Sequence, residues 1–119
     1  MKVAVVSSDG KVINQHFGRA TRFLIFEVNL GEIRFIEARE IMPLCGSGDY
    51  GNSDEVLSRT ISLITDCEVL LCARIGRRPK EELRKKGIKP IEAPYFIHEA
   101  LKRIHQKNLI NTRAQIDEV

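Results

Sequence analysis

The order of apolar segments predicts an α/β domain built on a mixed five-stranded sheet. Two observations carry this. The β-rich runs 23–28 and 33–41 are joined by a glycine turn, and beyond residue 52 segments of helical period alternate with short apolar runs. The first pattern makes an antiparallel hairpin. The second makes parallel strands linked by helical crossovers.

Each element has its own justification. Val3-Ala4-Val5-Val6 is a short apolar run closed by Ser7-Ser8-Asp9-Gly10, as expected of a buried strand ending in a turn. Phe23 to Val28 and Ile33 to Ile41 flank Asn29-Leu30-Gly31-Glu32. Pro43 to Gly51 is a loop that holds Cys45 and three glycines. Asn52 with Glu55 resembles a capping box, and Val56, Leu57, Thr60, Ile61 and Ile64 then recur at helical spacing. Glu68 to Ala73 is nearly continuous in apolar character, which suits a strand covered on both faces. A second helix starts at Pro79 and stops at Gly87, Ile88 to Ile91 is a last short strand, and Ile97, Ala100, Leu101 and Ile104 mark a third helix after Pro94. The order β-β-β-α-β-α-β-α is that of a ribonuclease H-like three-layer fold. It places one domain over residues 1–106, followed by a polar C-terminal tail, 107–119.

Composition narrows the function. The chain has 119 residues, 43% hydrophobic and 29% charged, enough to bury about two thirds of the surface of the unfolded form and too apolar for disorder. Apolar runs of only a few residues provide neither a membrane span nor a signal peptide, so a cytoplasmic protein is expected. Three cysteines, an odd number, point to free thiols. A net charge of +3, with basic residues scattered apart from 74–78 and 84–86, does not make a nucleic-acid surface.

Direction then gathers candidate residues. If the first strand rises, the loop holding His16 lies at the top, as do the loops holding Cys45, Arg74 and Pro94. Four connections thus meet at the carboxyl ends of the parallel strands, where open α/β sheets place ligands. Ile13-Asn14-Gln15-His16-Phe17-Gly18-Arg19-Ala20 puts an imidazole, a glycine and a cation in a polar break between strands, a pattern suited to binding. The competing reading is a histidine that caps a turn. Arg74-Ile75-Gly76-Arg77-Arg78 runs into a helix N-terminus, which favours an anion. Its competing reading is a solvated basic loop.

Cys45 and His16 together offer a thiolate and an imidazole, a set suited to iron or zinc. Two ligands do not close a structural site, so end-on capture of a preassembled cluster is the remaining metal chemistry. Cys67 and Cys72, five positions apart, should point to opposite faces of an extended strand, and Cys72 should be a buried small hydrophobe. His98 and His105 stand about 10.5 Å apart along a helix, too far to share an ion. The first strand has no carboxylate, which argues against a two-metal phosphodiesterase.

The motifs Ser8-Asp9-Gly10, Ile13 to Ala20, Phe23 to Val28, Asp66 to Gly76 and Gly87 to Ala93 resemble the dinitrogenase iron-molybdenum cofactor biosynthesis family over residues 1–105. That family includes NifX-type carriers, NafY-type chaperones and the C-terminal domain of NifB. The resemblance implies a non-enzymatic carrier whose transient cargo is an iron-sulfur cluster, the iron-molybdenum cofactor or its precursor, taken from a cluster donor and given to a cluster acceptor. It implies contact through His16 in the first top loop; with the reading of the residues above, the expected contacts are His16, Phe17, Gly18, Arg19, Cys45, Arg74, Gly76 and Arg77, with His16 and Cys45 as metal ligands. No membrane or nucleic-acid partner is expected. The alternative is a regulatory or scaffold module, unrelated to nitrogen fixation, that binds a protein or small anion at the same edge.

Overall fold

Alternation along the first strand decides the layers. Val3 and Val5 face one side and Ala4 and Val6 the other, and all four are fully buried. A strand covered on both faces belongs near the middle of a sheet. The computed structural model of the protein describes residues 1–29, 32–41 and 53–104. It has strands β1 (Lys2–Val6), β2 (Arg22–Asn29), β3 (Glu32–Glu40), β4 (Val69–Cys72) and β5 (Lys89–Glu92). Its helices are α1 (Ser53–Ser62), α2 (Arg77–Lys85) and α3, residues 97–104, with a 3-10 turn at Phe17–Arg19.

The sheet order is β3-β2-β1-β4-β5, so β1 is central. It pairs antiparallel with β2, Ala4 opposite Ile25, and parallel with β4, Ala4 beside Leu70. β4 and β5 are parallel, and β2 and β3 form the hairpin, Asn29 opposite Glu32. Phe26 pairs with Phe35 but Ile25 with Glu37, leaving Ile36 as the extra residue of a β-bulge. On one face Val3, Val5, Leu24, Val28 and Leu71 pack with Ile97, Ala100, Leu101 and Ile104 of α3. On the other, Ala4, Val6, Phe23, Ile25 and Leu70 pack with Ile61 of α1 and Leu83 of α2. The three-layer ribonuclease H-like arrangement is therefore present.

Two readings from sequence change. The second helix begins at Arg77, not Pro79, because Gly76 takes the extended N-cap position and Lys80 N donates to Gly76 O at 3.1 Å. Pro79 then falls on the third helical residue, whose missing N–H would have had no intrahelical partner. Cys67 and Cys72 do not lie on opposite faces: both belong to the layer between the sheet and helices α1 and α2. Cys67 precedes β4 and lies in the turn from α1, so strand parity does not apply to it. The loop 43–51 with Cys45, Asn52 of the capping box, His105 and the tail 107–119 lie outside the described residues.

One ion network ties α1's far end to the sheet. Asp66 accepts from Arg39 Nη1 at 2.7 Å and Nη2 at 2.9 Å, and from Lys2 Nζ at 3.1 Å. Arg39 also donates to Leu63 O at 2.7 Å, so the guanidinium holds the last turn after α1 against β3. The Arg39 hydrogen bonds hold the Asp66 carboxyl well below the usual carboxylate range. Backbone amides lower the Asp9 carboxyl, foremost that of Val12 and then that of Lys11.

Two tests follow from this packing. Leu101, fully buried beneath the sheet, should cost about 3 kcal/mol when replaced by alanine, measured by urea unfolding. Asp9 and Asp66 hold protons less readily folded than unfolded, so their stabilisation is present above the ordinary value of 3.8 and is lost as pH falls below it. Acid titration of wild type and Asp66→Asn should show the smaller pH dependence below about pH 4 in the variant.

Candidate functional site

The segment after β1 is built in two stages. Ser7, fully buried, donates its hydroxyl to Val12 O and accepts from Gly10 N at 3.0 Å. Asp9 Oδ1 accepts from the amides of Lys11 at 2.8 Å and Val12 at 3.0 Å. Gly10 sits at φ +77°, the left-handed region that glycine enters freely. Asn14 then clamps the base of the loop, accepting from Ser8 N at 3.0 Å and donating to Ser8 Oγ at 2.9 Å.

Beyond this turn the chain is carried onto the end of β4. Gln15 O accepts from Ala73 N at 3.0 Å and Phe17 N donates to Arg74 O at 2.8 Å, which makes His16 and Arg74 bridge partners in parallel register. Phe17 is only 4% exposed, its ring 6.2 Å from that of Phe23. Of the predicted contact residues Phe17 is thus the anchor, turned into the core, while His16, Gly18 and Arg19 are exposed. His16 is the N-cap residue of the 3-10 turn that follows it: its carbonyl accepts from Arg19 N at 3.0 Å, and its side chain makes no capping hydrogen bond.

The third connection closes the rim. Ala93 N donates to Cys72 O at 2.8 Å, Ile13 N to Tyr95 O at 2.9 Å and Ile97 N to Lys11 O at 2.8 Å. Glu92 Oε2 accepts from Ile75 N at 3.1 Å, fixing the backbone just before α2. The loops after β1, β4 and β5 therefore hydrogen-bond to one another, as the strand directions required. The fourth expected contributor, Cys45, lies outside the described residues.

The rim is electropositive. Arg74, Gly76 and Arg77 are exposed together, α2 has no acidic residue in its first turn, and Gly76 supplies no side-chain cap. Uncapped amides and the positive end of the helix dipole favour an anion, by about 0.3–1 kcal/mol for each exposed interaction. One concavity of about 270 Å³ is lined by Val12, Tyr95 and Phe96, and another of the same size, between α1 and α2, by Leu57, Arg78 and Lys86.

The buried thiols take no part. Cys72 is fully buried and Cys67 is 3% exposed, and burial pushes both up to about 12. A thiol held protonated is a poor metal ligand. Among the described residues no three His, Cys, Asp or Glu side chains converge on a metal position. No described helix is long and apolar enough to cross a membrane.

Comparison with known proteins decides the family. The model of the dinitrogenase iron-molybdenum cofactor family matches residues 1–107. This chain belongs to that family. It is 37% identical over 113 residues, 94% of its length, to the FeMo cofactor biosynthesis protein NifB of Frankia alni. It is 35% identical over 118 residues, 97% of its length, to NifB of Azotobacter vinelandii. The chain spans about a quarter of these relatives, 22% and 24% of their respective lengths, and is homologous to the C-terminal region of NifB. The crystal structure of PH0822 shares the fold, with a TM-score of 0.66 at 24% identity over 90% of this chain and 92% of that one.

Sequence reasoning missed the roles of three residues at the site. Glu92 was hidden at the end of a strand, where nothing marks a carboxylate as a backbone acceptor. Ser7 and Asp9 were read as a turn only, although Ser-Ser-Asp-Gly carries the side-chain acceptors that build an Asx turn.

The two loop glycines separate by experiment. Gly10→Ala forces a left-handed alanine and should cost about 1–2 kcal/mol in urea unfolding. A Cβ at Gly18 would meet nothing within 4 Å, so Gly18→Ala should stay within about 0.5 kcal/mol of wild type.

Proposed function

We propose that this protein is a non-enzymatic carrier that takes up an iron-sulfur cluster, the iron-molybdenum cofactor or its precursor, at the His16 rim and passes it from a cluster donor to a cluster acceptor in the cytoplasm. One observation carries the reading: the backbone of an exposed histidine, His16, is bridged to that of Arg74, just before the N-terminal end of α2. The family's association with iron-molybdenum cofactor biosynthesis supports a metal-cluster cargo.

The chemistry follows from what the rim offers. His16 supplies a neutral nitrogen donor to one iron of the incoming cluster. Arg19, Arg74 and Arg77 offset its negative charge, and the amides at the start of α2 add hydrogen bonds to peripheral acceptor atoms. Cys45 is the further ligand that the sequence offers. Few protein ligands on an open surface let the cargo leave, which a carrier requires.

Anaerobic titration of the purified protein with an isolated precursor cluster, followed by visible absorbance, tests the reading. His16→Ala should weaken binding at least about tenfold, roughly 1.4 kcal/mol. Arg74→Ala with Arg77→Ala should weaken it further and flatten its salt dependence. Equal affinity of wild type and His16→Ala would remove His16 from the mechanism.

A further inference from the structure

Among the described residues, β3 has a strand neighbour on one side only, and nine residues, Glu32–Glu40, run along the other edge. Phe35 is 53% exposed and Ile36 39%, and most of the strand is open. The opposite edge differs: β5 is four residues long and contains Pro90, which lacks an N–H to offer. A long edge of unsatisfied backbone groups with exposed apolar side chains is a template for another strand.

Charge decides which strand. Arg34 faces the same side of the sheet as Glu27, and the bulge at Ile36 brings Glu37 and Arg39 to that side with Ile25 and Phe23. Glu32, Arg34, Glu37 and Arg39 therefore form one row, and Ile33, Phe35 and Ala38 lie on the other face. Laid antiparallel on itself about a two-fold axis near Phe35 and Ile36, the strand sets Arg34 against Glu37 of the second copy and Glu32 beside its Arg39, whose guanidinium also holds Glu37 and Asp66 of its own chain. Ile33 meets Ala38 on the opposite face. A shift of two residues one way opposes Arg34 to Arg39, and the other way opposes Glu32 to Glu37. Like charges directly opposite are destabilising, so a single register is selected.

We propose that β3 is a self-association surface, pairing antiparallel with β3 of a second copy to make one continuous ten-stranded sheet. The interface is isologous, each residue pair occurring twice. Because the strands are antiparallel across it, the two His16 rims open in opposite directions and neither is covered.

Sedimentation of the full chain over a range of concentrations tests this. Wild type should shift toward twice the monomer mass as concentration rises, and Arg34→Glu should raise the dissociation constant at least tenfold. An equimolar mixture of Arg34→Glu and Glu37→Lys should restore the dimer, since both opposed pairs regain opposite charge. As a second readout, amide exchange along 32–40 in wild type should slow with concentration while the rest of the sheet is unchanged. A wild-type monomer throughout, a dimer indifferent to Arg34→Glu, or concentration-independent exchange along β3 would overturn the proposal.

Discussion

Two backbone hydrogen bonds, from Ala73 N to Gln15 O and from Phe17 N to Arg74 O, hold the candidate site together. They extend the β1–β4 pairing beyond the strands themselves and make a loop behave as sheet. Without them the loop would keep its Asn14 clamp and its bonds to the β5 connection but lose its tie to β4. With them, the backbones of His16 and Arg74 are set by the same register that sets the core. Such backbone bonds are individually worth only about 1 kcal/mol, but Phe17 beneath them is nearly fully buried, and the combination fixes the loop.

The molecule separates stability from recognition along the strand axis. Residues facing the helices are apolar and closely packed, whereas the rim carries exposed basic side chains and the N-terminus of α2. Arginines gathered at one end repel one another, and the core must hold them there. The Arg39–Asp66–Lys2 network is a different use of charge: opposite signs share hydrogen bonds and fasten the crossover from α1 to β4.

The fold was legible in the sequence because period-two and helical patterns were clean. Val3 to Val6, the hairpin signal at Gly31 and the alternation beyond residue 52 were sufficient for the element order and the mixed sheet, and chain direction alone brought the loops after β1, β4 and β5 to one rim. Legibility failed where a residue's environment is set by chain geometry that periodicity does not encode. Cys67 shares a layer with Cys72 because the chain turns before β4, and the start of α2 moved to Arg77 because a glycine can serve as an N-cap without a side chain. At the site, the composition of the His16 loop pointed to exposure, but only coordinates separate Phe17, which is buried, from Gly18 and Arg19, which are not. Glu92 could not be found beforehand, since its role depends on a neighbour seventeen residues away.

The burial of Cys67 and Cys72 has a consequence for how this molecule ages and how its motions can be followed. Sulfur sealed under two helices is shielded from alkylating reagents and from peroxide while the layer stays shut. Covalent labelling of those atoms is then a clock for opening: its rate reports how often the helices lift from the sheet, independently of anything happening at the rim.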